Sequence, residues 1–222
     1  MNGRIEAVIS AMISYNKGDP ARIGHAPKVY GFTKAIAAEE GLSEETRRLV
    51  ETAAVLHDIG IRESERKYGD ASGAHQQVEG PPVAREILSS LGFDAGAIDR
   101  VCWLIAHHHT YTGVTEQDHR VLIEADFLVN TEEDPAMRRS AGRIYAKQMK
   151  TKTGRAFYRS LFPEAAPEDS PEARRWGSMA SDVCVEPCPR LQSVLPRTVQ
   201  AIPPGKQPCG KKFKPVSAVL AA

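Results

Sequence analysis

Apolar residues recur at helical spacing along the first 162 residues of the chain. The first set falls at i, i+3, i+4, i+7 and i+8, on one face of a helix, and comprises Ile5, Val8, Ile9, Met12 and Ile13. Gly18-Asp19-Pro20 ends this first predicted helix. A second set at i, i+4, i+7 and i+11 predicts another helix, which Gly41 ends: His25, Val29, Phe32 and Ile36.

The same pattern predicts further helices along this part of the chain. Ser43 suits the N-cap of a third helix that runs to His57-Asp58, before a loop over residues 62–74. Pro81 and Pro82 suit the first turn of a fourth. Four more helices are predicted: a fifth from Asp94 to His107, a sixth around Asp126, and two over about 135–150 and 154–162. No stretch alternates with period two for long enough to be a strand, so the predicted fold class is all-α.

Proline divides the chain into two parts. Ten of the 15 prolines lie at or beyond Pro163, and so do Cys184, Cys188 and Cys209, three of the four cysteines. All seven histidines lie between His25 and His119. We therefore expect a folded domain over residues 1–163 and a Pro-rich, poorly ordered extension over 164–222. The extension is either an acquired tail or the product of a reading-frame change.

Composition and charge exclude several classes of protein. The formal net charge is only +1, which is lower than a protein that neutralises the phosphates of a nucleic-acid duplex normally carries. No run of about 18 apolar residues predicts a transmembrane helix, and the amino terminus lacks the apolar block of a signal peptide. Four cysteines do not make a disulfide scaffold. These features favour a cytoplasmic protein that does not bind a membrane.

Two aspartates in apolar helical segments indicate the chemistry. Asp58 follows the run AAVLH, and Asp126 lies inside VLIEADFLV. A buried, unpaired carboxylate costs several kcal/mol, so each is expected to pair with a buried arginine or to bind a metal. Histidines in the same stretch favour a divalent metal site with nitrogen and oxygen ligands. His119, by contrast, is typical of a surface residue.

These residues, in this order, resemble the H…HD…D signature of the HD-domain superfamily of metal-dependent phosphohydrolases. HAPKV resembles the first motif, AAVLHDIG the second and EADFLVN the last, over roughly residues 4–162. The resemblance implies an all-helical bundle with a central metal. It also implies the metal ligands, which are His25, His57, Asp58 and Asp126.

Further histidines are similar to elements of the binuclear HD-GYP phosphodiesterases. His75 is similar to the histidine of their HPxxG element, and HHHTYTG to their HHExxDG element, although His109 replaces the glutamate and no GYP follows. The resemblance makes His75, His107 and His108 candidate ligands of a second metal ion. Ile61 replaces a lysine that often follows the HD motif, so Lys28 or Arg62 is expected to contact a substrate phosphate instead.

The expected function is metal-dependent hydrolysis of a phosphate ester, with a nucleotide as the first candidate among small phosphorylated partners. Asp58 would hold the metal and orient the attacking water, and His107, His108 or Glu79 would protonate the leaving oxygen. Two alternatives use the same ligands: a di-iron oxygenase of the HD superfamily, and a non-catalytic nucleotide-binding module. One or two ions fit the pattern, and it does not distinguish Mn, Fe, Mg, Zn, Ni and Co. Oligomeric state is open, with a homodimer among the alternatives.

Overall fold

The computed structural model describes residues 5–165, which contain α-helices, one short 3₁₀ helix and no strand. The all-α prediction is confirmed for this part of the chain. The helices are α1 (Ile5–Tyr15), α2 (Pro20–Glu39), α3 (Glu44–Leu56), α4 (Ile61–Tyr68), α5 (Gly73–Ser90), α6 (Ala95–His107), α7 (Gln117–Glu133), α8 (Pro135–Arg138), α9 (Ala141–Gln148) and α10 (Lys152–Leu161), followed by the 3₁₀ helix Pro163–Ala165.

Helix α7 lies at the centre of the bundle. Nearly all its residues from Asp118 to Val129 are buried, and they include polar side chains as well as apolar ones. Helix α2 packs against both α3 and α7, while α5 packs against α4 and α6. The resulting core places the middle of α2, the end of α3 and the middle of α7 next to one another.

Helix α4 replaces part of the loop predicted over residues 62–74, so that prediction is wrong for this segment. Its sequence, IRESERKY, has no long apolar stripe that a helical period would detect. Ion pairs stabilise it instead, including Arg66 with Glu63 and Arg22 with Glu65. Gly69 ends it in the left-handed conformation with φ of 77°.

Two other predicted helix boundaries are also wrong. Helix α5 begins at Gly73, and Pro81 and Pro82 lie inside it instead of in its first turn. The two prolines remove two backbone donors without ending the helix, because α5 packs closely against α6. The helix predicted over 135–150 is two helices, α8 and α9, separated at residues 139–140.

The boundary predicted at residue 163 coincides with the start of the final 3₁₀ helix. Apart from Glu164 and Ala165, the predicted extension over 164–222 lies outside the described residues. The domain division therefore stays a prediction.

Two glycines allow the turn after α3 to approach α5. A Cβ on Gly60 would lie 2.5 Å from the backbone nitrogen of Gly80 and 2.8 Å from the carbonyl oxygen of Gln76. A Cβ on Gly80 would in turn lie 2.7 Å from Ile105 of α6. Backbone atoms cannot move aside cheaply, so glycine at these positions fixes how α5 lies against the turn.

We expect Gly60→Ala to lower the free energy of unfolding by roughly 1–3 kcal/mol, as overpacked cores do. Gly31 is the matched control, because it lies in α2 and has no atom within 4 Å of a built Cβ. Gly31→Ala should raise the free energy of unfolding by up to about 1 kcal/mol. Urea unfolding measures both, and equal values for the two variants would contradict the close approach.

Candidate metal centre

The first cluster brings together all four residues of the predicted H…HD…D set. His25 comes from α2, His57 and Asp58 from the turn after α3, and Asp126 from α7. The Nε2 atom of His25 lies 3.2 Å from His57 Nε2, 3.3 Å from Asp126 Oδ1 and 3.7 Å from Asp58 Oδ2. His57 Nε2 lies 3.4 Å from both Asp58 Oδ2 and Asp126 Oδ1. The two imidazole nitrogens therefore lie next to each other, and each is close to a carboxylate oxygen of Asp58 and of Asp126.

The other nitrogen of each imidazole in this cluster is already bonded. His57 Nδ1 donates to the carbonyl oxygen of Ala54 at 2.8 Å, and His25 Nδ1 donates to Glu133 Oε2 at 2.7 Å. When Nδ1 carries the proton of a neutral ring, the lone pair is on Nε2. In the neutral ring both histidines thus present Nε2 to the centre of the cluster, as metal-binding histidines do.

A second cluster shares Asp58 and adds His108 and His109, with ligand atoms all within 4.8 Å of one another. His108 Nε2 lies 3.6 Å from Asp58 Oδ1, while its Nδ1 donates to the carbonyl oxygen of Ile105 at 2.7 Å. His108 is fully buried, and its Nε2 has no hydrogen-bond partner among the described residues. Buried polar atoms in proteins are almost always paired, so this nitrogen is a candidate metal ligand.

The carboxyl ends of two helices lie at the two clusters and add partial negative charge there. His57 is the C-cap of α3, and His108 is the C-cap of α6. The carboxyl end of a helix carries a partial negative charge and favours a cation in its last turn. Two such ends face the two clusters, and this arrangement favours positive charge between them.

Charges within the clusters shift the pKa values of their members. Burial opposes the imidazolium of His57, but the neighbouring Asp58 and Asp126 raise its pKa well above the ordinary value. Burial likewise opposes the Asp58 carboxylate, but the proximity of His57 and His108 holds its pKa well below the ordinary value. The pKa of Asp126 is also lowered, against burial, by its hydrogen bonds with His25 and His57. Both acids are therefore ionised at neutral pH and present charged oxygens.

His109 was missed as a ligand by the sequence analysis. Its Nδ1 accepts from the hydroxyl of Tyr111 at 3.0 Å, and its Nε2 donates to Gln76 Oε1 at 3.1 Å. Burial, with the nearby His108 as a second cause, lowers the pKa of His109 to about 4. Gly73 leaves room for the ring, because a Cβ there would lie 2.8 Å from it. The chain thus holds His109 neutral beside the second cluster.

His107 does not join either cluster, although the sequence analysis predicted it as a catalytic residue and a ligand. Its ring stacks on Trp103 at 4.2 Å, and its Nδ1 donates to the carbonyl oxygen of Trp103 at 2.7 Å. His119 packs against the same Trp103 ring and is only 2% exposed, so its prediction as a surface residue is wrong. Its Nε2 donates to the carbonyl oxygen of His107 at 2.8 Å.

The remaining predicted site residues lie outside the clusters and have partners of their own. His75 stacks on Tyr68 and bonds Asp70 at 2.8 Å. Arg62 donates to the carbonyl oxygen of Tyr15 at 2.5 Å. The other two form ion pairs: Lys28 with Glu132 and Glu133, and Glu79 with Lys67, while Glu79 also accepts from Tyr68. Their roles in catalysis or substrate binding stay predictions.

A divalent metal fits the residues present. The donor set is imidazole nitrogen and carboxylate oxygen, which suits zinc, iron, manganese and related ions. The buried Nε2 of His108 has no hydrogen-bond partner among the described residues, and the Nε2 atoms of His25 and His57 lie 3.2 Å apart beside Asp126. A metal would give His108 Nε2 a partner and would be held in the first cluster by nitrogen and oxygen atoms that already face one another.

The order and spacing of these residues match a known family model. The HD domain model matches residues 22–147, more than half of the chain. The chain belongs to the HD domain family. All four residues of the first cluster and the histidines of the second lie within the matched HD domain.

A solved structure shares the HD fold. It is the crystal structure of a predicted HD superfamily hydrolase from an uncultured Thermotogales bacterium, with 23% sequence identity and a TM-score of 0.53. The match covers 79% of this chain and 92% of that chain. None of the curated proteins matches the HD chain described here. Among residues 5–165, no helix has the length and apolar character needed to cross a membrane.

Proposed function

We propose that the chain is a metal-dependent phosphohydrolase whose substrate is a phosphate ester, with a nucleotide as the first candidate. The observation that carries this proposal is the position of Asp58. Its Oδ2 lies 3.4 Å from His57 Nε2, and its Oδ1 lies 3.6 Å from His108 Nε2. One carboxylate therefore faces both clusters, so the two together can hold one ion or two.

The residues divide the work of such a site. His25, His57, Asp58 and Asp126 would hold the first ion. Asp58 and His108 would hold a second, joined by His109 when Nδ1 of that ring releases the Tyr111 hydroxyl. A divalent metal supplies, when bound, a water of lowered pKa as nucleophile and positive charge that stabilises the phosphoryl oxygens. The name of the structural relative, a predicted hydrolase, supports the same reaction class.

One side of the site is open for a substrate. The side chain of Asp58 is 27% exposed, whereas His57 and His108 are fully buried. Tyr111, 37% exposed, packs against Phe127 with ring centroids 5.1 Å apart and bonds His109. We place the phosphate at Asp58 and the remainder of a small substrate against Tyr111. A nucleic-acid duplex is not an expected partner.

Phosphate release from a panel of esters tests the proposal. The chain is loaded with Mn²⁺, Fe²⁺, Co²⁺, Ni²⁺, Zn²⁺ or Mg²⁺ and assayed with mononucleotides, cyclic nucleotides and simple phosphate esters. We expect turnover of at least one nucleotide, lost on chelation and restored by one of the metals. A loaded chain that hydrolyses none of these esters would rule the proposal out.

Adjacent histidines provide a matched pair for the second ion. His108→Ala should remove one of two bound ions, because its Nε2 faces Asp58. His107→Ala should retain full metal content, because its ring stacks on Trp103 outside both clusters. Elemental analysis of the two purified variants measures the difference. Loss of metal in His107→Ala but not in His108→Ala would show that His107, as predicted from the sequence, is the ligand and that His108 is not.

The second cluster also favours one alternative, a di-iron oxygenase, because two adjacent ligand sets share a carboxylate. Anaerobic purification followed by iron analysis and an oxygen electrode separates the two functions. Two irons per chain, with oxygen consumption and no phosphate release, would favour the oxygenase. Turnover of a phosphate ester without oxygen would favour the phosphohydrolase.

A further inference from the structure

His25 is anchored differently from His57 and His108. His57 and His108 lie at helix ends, so their Nδ1 atoms reach backbone carbonyls of the last turn, those of Ala54 and Ile105. His25 lies inside α2, away from a helix end. Its Nδ1 donates to a side chain on another helix, Glu133 Oε2 of α7, at 2.7 Å.

Helix α7 supplies this acceptor and a predicted ligand from the same face. Glu133 follows Asp126 by seven residues, which is two helical turns. Between them, Asn130 donates to Asp126 Oδ1 at 2.8 Å. Asp126 and Glu133 both contact His25, and Asn130 contacts Asp126, so the register of α7 fixes both acids.

The second oxygen of Glu133 is held from α2. Lys28 Nζ donates to Glu133 Oε1 at 3.0 Å and to Glu132 Oε2 at 2.8 Å. Lys28 follows His25 by three residues, on the adjacent turn of the same helix. Each oxygen of Glu133 therefore has one partner on α2, and its orientation toward His25 is fixed.

We infer that Glu133 is a positioning residue that, held by Lys28, fixes the His25 ring so that Nε2 faces the first cluster. The inference assigns Lys28 to the support of the site and not to a substrate phosphate. It rests on the metal centre of the proposed function, but not on the reaction carried out there. Carboxylates that orient a metal-binding histidine in this way typically change metal affinity by 10–100-fold.

Co²⁺ binding to the full chain tests the role of Glu133. Affinity is measured by competition with a chelator, and the visible absorption spectrum of bound Co²⁺ reports the ligand geometry. We expect Glu133→Ala to weaken binding by about 10–100-fold and to change the spectrum. Glu133→Gln, which keeps an acceptor oxygen, should stay within about fivefold of the wild type. Glu133→Asp keeps the charge but shortens the reach, so it should weaken binding more than the glutamine variant.

Glu132→Ala is the matched control. Glu132 also bonds Lys28, yet it makes no contact with His25 in the described structure. This variant should bind Co²⁺ as the wild type does, with an unchanged spectrum. Equal affinities for Glu132→Ala and Glu133→Ala, or a wild-type chain that takes up no Co²⁺, would overturn the inference.

The remaining outcomes separate folding and function from positioning. If circular dichroism shows Glu133→Ala to be unfolded, Glu133→Asp decides alone, and wild-type affinity in that variant overturns the inference. A chain that binds Co²⁺ with the expected ranking but releases no phosphate contradicts the proposed phosphohydrolase and supports the role of Glu133.

Discussion

Asp58→Asn is expected to abolish phosphate release and to lower the metal content of the chain. The substitution keeps the shape of the side chain but removes the charge that faces both clusters. Loss of one member of a buried charged group costs roughly 3–5 kcal/mol, which corresponds to roughly 10²–10⁴-fold in affinity or rate. Elemental analysis and a phosphate-release assay on the same preparation measure the two effects.

The size of this effect follows from the central position of Asp58. Its two oxygens approach the Nε2 atoms of His25, His57 and His108 at 3.4–3.7 Å. Removing any one histidine leaves the other cluster intact, whereas removing the Asp58 charge affects both. We therefore expect Asp58→Asn to lose more metal than His108→Ala does.

Asp99→Asn is the control for loss of an acidic charge. Asp99 is exposed and pairs with Arg85 on the surface, so its removal should change neither metal content nor turnover. Circular dichroism checks that Asp58→Asn remains helical. A folded Asp58→Asn variant with wild-type metal content and turnover would show that Asp58 is neither a ligand nor a catalytic residue.

Much of the fold is predictable from the spacing of apolar residues, because most helices bury one continuous face. Helix α4 is the exception, since it is short, polar and stabilised by ion pairs to other helices. The start of α5 is also difficult to predict from the sequence, because prolines normally mark the first turn of a helix. In the structure they lie inside α5, which packs against α4 and α6. Contacts between helices of this kind cannot be predicted from the local sequence.

The first cluster is predictable because each of its residues interrupts an apolar helical segment. The second cluster depends on the position at which α6 ends. Consecutive residues are rotated by about 100° around a helix, so neighbouring histidines point in different directions. The residue at which α6 ends therefore decides which of the three histidines face Asp58. The helix ends at His107, which turns His107 toward Trp103 and leaves His108 and His109 facing Asp58.

Residues that support the ligands were not predicted at all. Glu133 and Gln76 reach their histidines from other helices, so only the packing of those helices brings them into contact. Asn130 is different, because it lies one turn after Asp126 inside the quoted EADFLVN motif. An amide four residues after a buried acid is a signal that sequence reasoning alone can detect.

Glu124→Ala is expected to lower the free energy of unfolding by about 3 kcal/mol without changing the metal content of the folded chain. Glu124 is fully buried on α7. Its Oε1 accepts from the backbone nitrogens of Lys150 and Thr151 at 2.6 and 2.9 Å, and its Oε2 accepts from Thr151 Oγ1 at 2.5 Å. Alanine would leave these donors unpaired in the interior, at about 1–3 kcal/mol for each buried group. Urea unfolding measures the loss, and Glu132→Ala, an exposed acid on the same helix, should change stability by at most about 0.5 kcal/mol.

The pH dependence of stability separates the charge of Glu124 from its hydrogen bonds. Burial raises the pKa of Glu124, against the hydrogen bonds from Thr151 and Lys150 that favour the carboxylate. Relative to the unfolded chain, the folded chain therefore favours protonated Glu124. The stabilisation that this preference adds is complete below the ordinary pKa near 4.5, and it is lost as the pH rises through the higher pKa of the folded state. Glu124→Gln keeps an acceptor for the backbone donors and does not titrate. The stability of the wild type relative to Glu124→Gln should thus decrease as the pH is raised above about 4.5, and a relative stability that increases over this range would show that the hydrogen bonds outweigh burial.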